Sequence, residues 1–269
     1  TRLTPPHVES EGKPCVLFFG GSHAFGAAVN DEEAFPYLFG VKTGGRYDVH
    51  NFAYGGYGTH QMLAALEGGV VDSAIDCNPR HVIYHGGYFH IPRAAGLSKW
   101  DQNGPHYELV DMDRVEYRGS FAESQERDDL LTRLIDLSGL DTLISGLHRP
   151  PDGRDYDRFL GILENTRRYV EKNYPNAEFH VFLFDDKRRG PIPFYLFGWS
   201  RPPLSESLAE RGFNVLHKAD AIPGLHESPE LYKIHPLDGH PNALAHSLMA
   251  SYLAAELSKD STLPGEQAQ

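Results

Sequence analysis

Three short apolar runs in the first third of the chain each end in a glycine-rich turn, and this pattern limits the fold more than any other feature. The runs cover residues 16–19, 49–53 and 81–84. A strand that ends in glycines and leads into a helix is the repeating unit of a parallel sheet covered by helices. Since parallel strands end at one edge of a sheet, we expect these turns to expose backbone N–H groups toward one shared ligand site.

The same alternation continues in the second half of the chain. Apolar residues at helical spacing predict helices at 156–170 and 204–211, and Asn242 is expected to cap a last helix. Strands are predicted at 178–184 and 213–216. The predicted fold class is therefore α/β, with a three-layer α/β/α arrangement around a five-stranded parallel sheet.

We expect a single large domain. A chain of 269 residues can bury a sizeable core without a disulfide framework. The domain is predicted at 15–258, between a polar N-terminal lead-in at 1–14 and a C-terminal tail at 259–269. An insertion interrupts the strand–helix alternation at about 92–155.

The insertion has two parts. Residues 106–110 and 114–118 flank a polar turn and are predicted as a β-hairpin. A leucine-rich stretch at 121–147 predicts two helices, which either pack on the sheet or form a lid or a contact between two copies of the chain. Farther on, residues 191–199 are rich in proline and aromatic side chains, so we expect a loop that lines a pocket.

Charge and hydropathy restrict the partners. A formal net charge of −12 argues against nucleic acid, because proteins that bind a phosphate backbone concentrate lysine and arginine. No apolar run approaches the roughly 18 residues that span a bilayer. The chain begins at Thr1 without methionine, so removal of an upstream signal or of an N-terminal anchor stays open.

The cysteine count excludes two kinds of site. Cys15 and Cys77 are too few for a disulfide scaffold or a cysteine-based zinc site. Each precedes a predicted strand, so a bridge requires those strands to be neighbours. The preferred interpretation is two buried free thiols.

Ser22 follows the first predicted strand directly, in the turn GGSHAFG. This turn matches neither the glycine pattern of dinucleotide-binding folds nor that of phosphate-binding loops. It also differs from the G-x-S-x-G elbow of α/β-hydrolases, since Ala24 stands at the last position. Ser22 is thus either a turn residue or a nucleophile at the carboxyl end of the strand.

A second polar cluster precedes the last helix. Asp238 and His240 stand two residues apart in a stretch that glycine and proline predict to be a loop. A histidine that can take a serine's proton, oriented by a carboxylate, makes that serine nucleophilic. The alternative is a local turn with a surface histidine, since the chain has 15 histidines.

Taken together, these stretches resemble the SGNH/GDSL hydrolase superfamily over most of the chain. The segment FFGGSHAFGAAVNDEEAFP is similar to the first block of the family, NFAYGGYGTHQ to the second and DGHPNALAH to the last. The resemblance implies the SGNH hydrolase fold, a five-stranded parallel sheet in the flavodoxin-like order 2-1-3-4-5. It also implies Ser22 as nucleophile, His240 as general base and acid, Asp238 as its orienting partner, and an oxyanion hole from the N–H groups of Ser22 and Gly56.

The sequence departs from the family pattern at two positions. Gly21 replaces the aspartate of the Gly-Asp-Ser turn, which is not the triad acid. In the third block, Gly-x-Asn-Asp, Tyr88 replaces the asparagine whose amide would complete the oxyanion hole. The substitute donor is then the Tyr88 hydroxyl, His85 or His90, or the enzyme is slowed.

The implied activity is hydrolysis of a carboxylic ester on a carbohydrate or small metabolite, with no metal or organic cofactor. Substrate contacts are expected from His23, Tyr57, His85 and His90. An O-acyltransferase with the same triad and a non-catalytic binding module are the alternatives, the latter favoured by Tyr88. A metal site built from His85, His90, His235 and His240 lacks a metal-binding spacing and is disfavoured.

Overall fold

The protein was analysed as a computed structural model that describes residues 2–5, 12–125, 151–184 and 202–259. The strands are β1 (Pro14–Gly20), β2 (Asp48–Asn51), β3 (Asn78–Gly86), β4 (Pro105–Asp111), β5 (Arg114–Ser120), β6 (Glu178–Leu183), β7 (Asn214–His217), β8 (Lys233–His235) and β9 (Asp238–Pro241). The helices are α1 (Ser22–Phe25), α2 (Phe35–Lys42), α3 (Thr59–Glu67), α4 (Ile91–Ala94), α5 (Phe121–Gln125), α6 (Gly153–Asn173), α7 (Leu204–Glu210), α8 (Lys218–Ala221) and α9 (Ala243–Lys259). No helix in these ranges is long and apolar enough to cross a membrane.

Five parallel strands form the central sheet in the order β2-β1-β3-β6-β7. In order of appearance along the chain this is 2-1-3-4-5, so the predicted topology is confirmed. The order reverses between β1 and β3, and the carboxyl ends there border the crevice in which open α/β sheets bind ligands. Ser22 follows β1 at this edge, after the single residue Gly21.

β1 is buried on both faces because it lies between two other strands and two helical layers. Leu17 and Phe19 face α3, α6 and α7, whereas Val16 and Phe18 face α2 and α9. The apolar run that predicted this strand is therefore the centre of both cores.

A short 3₁₀ turn precedes α2. Asp31–Glu33 form a separate 3₁₀ turn, closed by a capping box between Asn30 and Glu33. Helix α2 then starts at Phe35, where Pro36 fits a first turn because its missing N–H has no partner there. The strands and helices that the sequence predicts for the sheet domain are confirmed, and their ends differ from the predicted ones by a few residues.

The predicted hairpin in the insertion is confirmed as β4 and β5, which pair antiparallel. It packs on α6 at Gly161, where an added Cβ would lie 2.9 Å from Leu109 Cδ1 and 3.1 Å from Val115 Cγ1. Residues 126–147 of the leucine-rich stretch and the predicted loop at 191–199 lie outside the described residues, so their proposed roles as lid, copy contact and pocket wall stay predictions.

Cys15 and Cys77 form a disulfide, so the interpretation of two free thiols is wrong. Cys15 begins the buried part of β1, and Cys77 directly precedes β3, the neighbouring strand. This pairing places the two Cα atoms 5.9 Å apart, within the range that a disulfide bridges. The bond ties the two strands together at their amino ends.

Candidate active site

Ser22 is the first residue of α1, a single helical turn that follows β1. The helix ends at Gly26, which has φ 81° and whose N–H donates to the Ser22 carbonyl at 3.0 Å. Glycine suits this left-handed position because it lacks a Cβ. As the first N–H of a helix, that of Ser22 has no acceptor within the helix and is available to a ligand.

Asp238 and His240 are paired as the sequence predicts. Asp238 Oδ1 accepts hydrogen bonds from the His240 backbone N–H at 2.9 Å and from His240 Nδ1 at 2.5 Å. These bonds, the backbone one foremost, hold the pKa of the Asp238 carboxyl below its usual value. Because Nδ1 carries the proton of this bond, Nε2 keeps its lone pair and can act as a base.

The predicted loop at Asp238 and His240 is instead a strand. Both residues lie on β9, which pairs antiparallel with β8. Asn242 fixes this hairpin, since its Nδ2 donates to Leu231 O at 2.8 Å and its Oδ1 accepts from Ala245 N at 3.0 Å at the start of α9. Glycine and proline favoured a loop in the sequence, but a short ribbon outside the main sheet tolerates both.

Strand β9 contacts α1, which brings the predicted base to the turn of the predicted nucleophile. The rings of His23 and His240 lie 5.2 Å apart between centroids. Within the described structure no hydrogen bond joins Ser22 to His240. Catalytic hydrogen bonds of this kind are often long in the absence of substrate and shorten when it binds.

Gly56 lies in a turn that rests against the end of β1. The Tyr54 N–H donates to Gly20 O at 3.2 Å, and the Tyr57 N–H closes the turn on Tyr54 O at 3.1 Å. Gly56 has φ 87°, and a Cβ there would lie 2.9 Å from Nε1 of the exposed Trp100. A glycine at this position therefore leaves room both for the turn and for the indole.

His90 is buried beside Gly21, the residue before Ser22. A Cβ on Gly21 would lie 3.0 Å from His90 Nε2, which has no hydrogen-bond partner among the described residues. On the other side of the ring, His90 Nδ1 bonds to the Tyr84 hydroxyl. Burial raises the pKa of Tyr84, so the hydroxyl is the donor, and Nε2 of His90 carries the ring proton.

Tyr88, one of the predicted substitute donors for the oxyanion, has its hydroxyl at the start of α7. The Leu204 N–H donates to Tyr88 Oη at 2.7 Å at the start of α7. The ring packs against the core between the sheet and α3, α6 and α7. Tyr88 therefore joins α7 to the turn after β3.

His23 and His85 form a buried aromatic layer with Phe184. The ring centroids lie 4.4 Å apart for His23 and Phe184 and 4.0 Å apart for His85 and Phe184. Burial, with Lys218 as the next cause, lowers the pKa of both histidines well below the usual value. Both rings are therefore neutral, and His85 Nδ1 donates to Phe182 O at 2.8 Å.

Of the predicted contact residues, Tyr57 is exposed and His85 is fully buried. Two residues of the site were missed by the sequence reasoning. Arg93 donates to Tyr57 O at 2.8 Å from the helical turn after His90, and Lys218 follows β7 directly. The rule that ligands bind at the carboxyl ends of parallel strands points to Lys218, whereas Arg93 had no sequence signal.

No family model and no curated protein matches this sequence. A carbohydrate esterase whose active site displays divergent catalytic and non-catalytic binding functions matches with a TM-score of 0.51 and 12% identity, over 95% of this chain and 68% of that chain. A two-domain esterase active on acetylated mannans gives 0.48 and 15%, over 92% and 50%. A member of the lipolytic protein G-D-S-L family from Veillonella parvula DSM 2008 gives 0.45 and 14%, over 91% and 98%. At 12% identity, the likeness to the first of these structures shows a shared fold.

Proposed function

We propose that this chain, which has the SGNH hydrolase fold, is a serine-dependent hydrolase of carboxylic esters. The observation that carries this proposal is the Asp238–His240 pair, joined at 2.5 Å on a strand that contacts the turn of Ser22. A neutral imidazole with its Nδ1 proton held by a carboxylate is the base that a serine nucleophile needs.

In the proposed reaction Ser22 Oγ bonds to the carbonyl carbon while its proton passes to His240 Nε2. The carbonyl π electrons move to the oxygen, and their return breaks the bond to the alcohol, which leaves with the proton from His240. Water then attacks the acyl group on Ser22 and gives a proton to His240. Release of the carboxylic acid returns that proton to Ser22.

The oxyanion requires three donors, and we assign His90 as the third beside the N–H groups of Ser22 and Gly56. Its Nε2 proton is buried, unpartnered among the described residues and adjacent to Gly21. Burial, with Arg93 as the next cause, lowers the pKa of His90, so the ring donates as a neutral imidazole. We assign Tyr88 a packing role, because the bond that it accepts from the Leu204 N–H holds its hydroxyl at the start of α7.

For the alcohol part of the substrate we propose a carbohydrate. Exposed aromatic side chains surround the turn of Gly56, and such rings offer flat apolar faces that sugars stack on. They are Tyr54, Tyr57, Phe89 and Trp100. A Cβ on Gly56 would lie 2.9 Å from Trp100 Nε1, which places the indole beside the proposed oxyanion hole.

A fluorophosphonate probe tests the nucleophile. Such probes phosphonylate a serine only when a base activates it, so we expect labelling of the native protein and none of Ser22→Ala. Ser124→Ala, which changes a partly buried serine on α5, should label like the native protein. Absence of labelling in folded native protein would rule out the enzyme and favour a binding module.

Replacing Trp100 by alanine tests the carbohydrate. We expect KM for an acetylated oligosaccharide to rise about 2- to 12-fold, since aromatic stacking is worth about 0.5–1.5 kcal/mol. The kcat/KM for p-nitrophenyl acetate should stay unchanged, because this ester has no sugar. Met112→Ala, at an exposed hydrophobic residue of the β4–β5 turn, is the matched control. Equal effects on both esters would contradict a sugar-binding role.

A further inference from the structure

A second cluster of ligand-type side chains lies at the amino edge of the sheet, away from Ser22. His81 on β3 and Glu178 on β6 are partners in the parallel register, and His180 follows Glu178 by two residues. Alternate residues of a strand point to the same face, so Glu178 and His180 share one face of the sheet. The ring of His81 approaches the same point from β3.

The distances in this cluster match those between ligands of one metal ion. His81 Nδ1 lies 3.1 Å from His180 Nε2 and 3.9 Å from Glu178 Oε2, and His180 Nε2 lies 3.6 Å from that oxygen. A tetrahedral zinc ion with bonds of about 2.0–2.1 Å separates its ligand atoms by about 3.3 Å. One metal ion can therefore lie within bonding distance of all three atoms, which are His81 Nδ1, Glu178 Oε2 and His180 Nε2.

Burial and outer contacts favour a bound ion at this point. His81 and His180 are 1% and 3% exposed, whereas Glu178 is partly open to solvent and leaves a path for an ion and a water ligand. The Glu178 carboxylate is held from outside by Arg80, whose Nη2 lies 3.4 Å from Oε1 and whose Nη1 donates to Asn176 O at 3.0 Å. An outer partner of this kind fixes the orientation of a ligating carboxylate.

We propose that His81, Glu178 and His180 bind a divalent transition-metal ion of the zinc class. Two imidazoles and a carboxylate suit such ions, and water completes the coordination. The ion would tie β3 to β6 and stabilise the sheet at the edge opposite the proposed active site. The other group of potential ligands among the described residues, Cys15, His50 and Cys77, has both sulfurs in the disulfide.

Zinc titration of the chelator-treated full chain tests this proposal. We expect native protein to bind one Zn²⁺ per chain by calorimetry, to gain thermal stability on binding, and to show tetrahedral Co²⁺ absorption bands. Glu178→Gln and His180→Asn should weaken binding by about ten-fold or more and lose the stabilisation. Glu116→Gln, at an exposed glutamate ion-paired with Arg118, and His240→Ala should bind like the native protein.

Each result decides the question without reference to esterase activity. Unchanged zinc affinity in Glu178→Gln would overturn the site, because the ion would then lie elsewhere. Absence of binding to native protein would mean that the two histidines only share a hydrogen bond. If His180→Asn fails to fold, Glu178→Gln still decides, since it keeps the shape of a partly exposed side chain.

Discussion

Replacing His240 by alanine is expected to lower kcat/KM for a carboxylic ester by about 10⁴-fold, because no other group would accept the Ser22 proton. Steady-state rates with p-nitrophenyl acetate measure this loss. Asp238→Asn should also reduce the rate, because an amide can donate to Nδ1 and leave the proton on Nε2. His235→Ala removes an exposed histidine of β8 and should retain activity. A rate within about ten-fold of the native value in His240→Ala would contradict the assignment.

The pH dependence of kcat/KM in the native protein is a second test of His240 as the general base. The proposed base accepts the Ser22 proton only while its Nε2 lone pair is free, so kcat/KM should fall on the acid side. The other histidines of the site add no second step near neutral pH. Burial lowers the pKa of His23, His85 and His90, so these rings stay neutral in that range. A profile with two acid steps would contradict this view.

Replacing His90 by phenylalanine is expected to lower kcat by about 10²- to 10³-fold with little change in KM, because an oxyanion donor acts in the transition state. His90→Asn, which offers an amide donor, should recover part of the rate. Tyr84→Phe removes the bond that holds the tautomer and should give a smaller loss. Rates over a range of ester concentrations separate kcat from KM.

His106→Phe is the control for this series, since it changes a partly buried histidine of the β4–β5 hairpin and should leave kcat unchanged. Circular dichroism verifies that each variant is folded. A kcat equal to that of the native protein in folded His90→Phe would contradict His90 as the third oxyanion donor. Tyr88→Phe would then test the Tyr88 hydroxyl.

The central sheet could be predicted from the sequence because its signals are local. The apolar run at 16–19 and the glycines after each strand follow from burial on both faces and from tight turns, and both are visible in neighbouring residues. The pairing of Asp238 with His240 was equally local. By contrast, β9 forms a strand because it pairs with β8 and because Asn242 holds the adjoining turn. The sequence there has no alternation of apolar and polar residues that would predict a strand.

The third oxyanion donor could not be singled out from the sequence, where Tyr88, His85 and His90 were equal candidates. What separates them is the partner of each polar atom. The Tyr88 hydroxyl accepts the Leu204 N–H, and His85 Nδ1 donates to Phe182 O. The Tyr84 hydroxyl bonds to His90 Nδ1, which leaves the ring proton of His90 on Nε2. Leu204 and Tyr88 are 116 positions apart in the sequence, so local sequence patterns cannot predict their contact. The disulfide between Cys15 and Cys77 also joins distant positions, and for the same reason the sequence favoured free thiols instead.

That disulfide also divides the proposed active site by covalent connectivity. The bond between Cys15 and Cys77, 62 positions apart, closes a macrocycle that contains Ser22 and Gly56, whereas His90 and His240 lie on the open chain after it. A single backbone cut inside the ring would leave the nucleophile and both backbone oxyanion donors in one covalently linked molecule. Asp238 and His240 lie outside this ring. A backbone cut between Cys77 and β9 would therefore leave them joined to the fragment with Ser22 only by noncovalent packing.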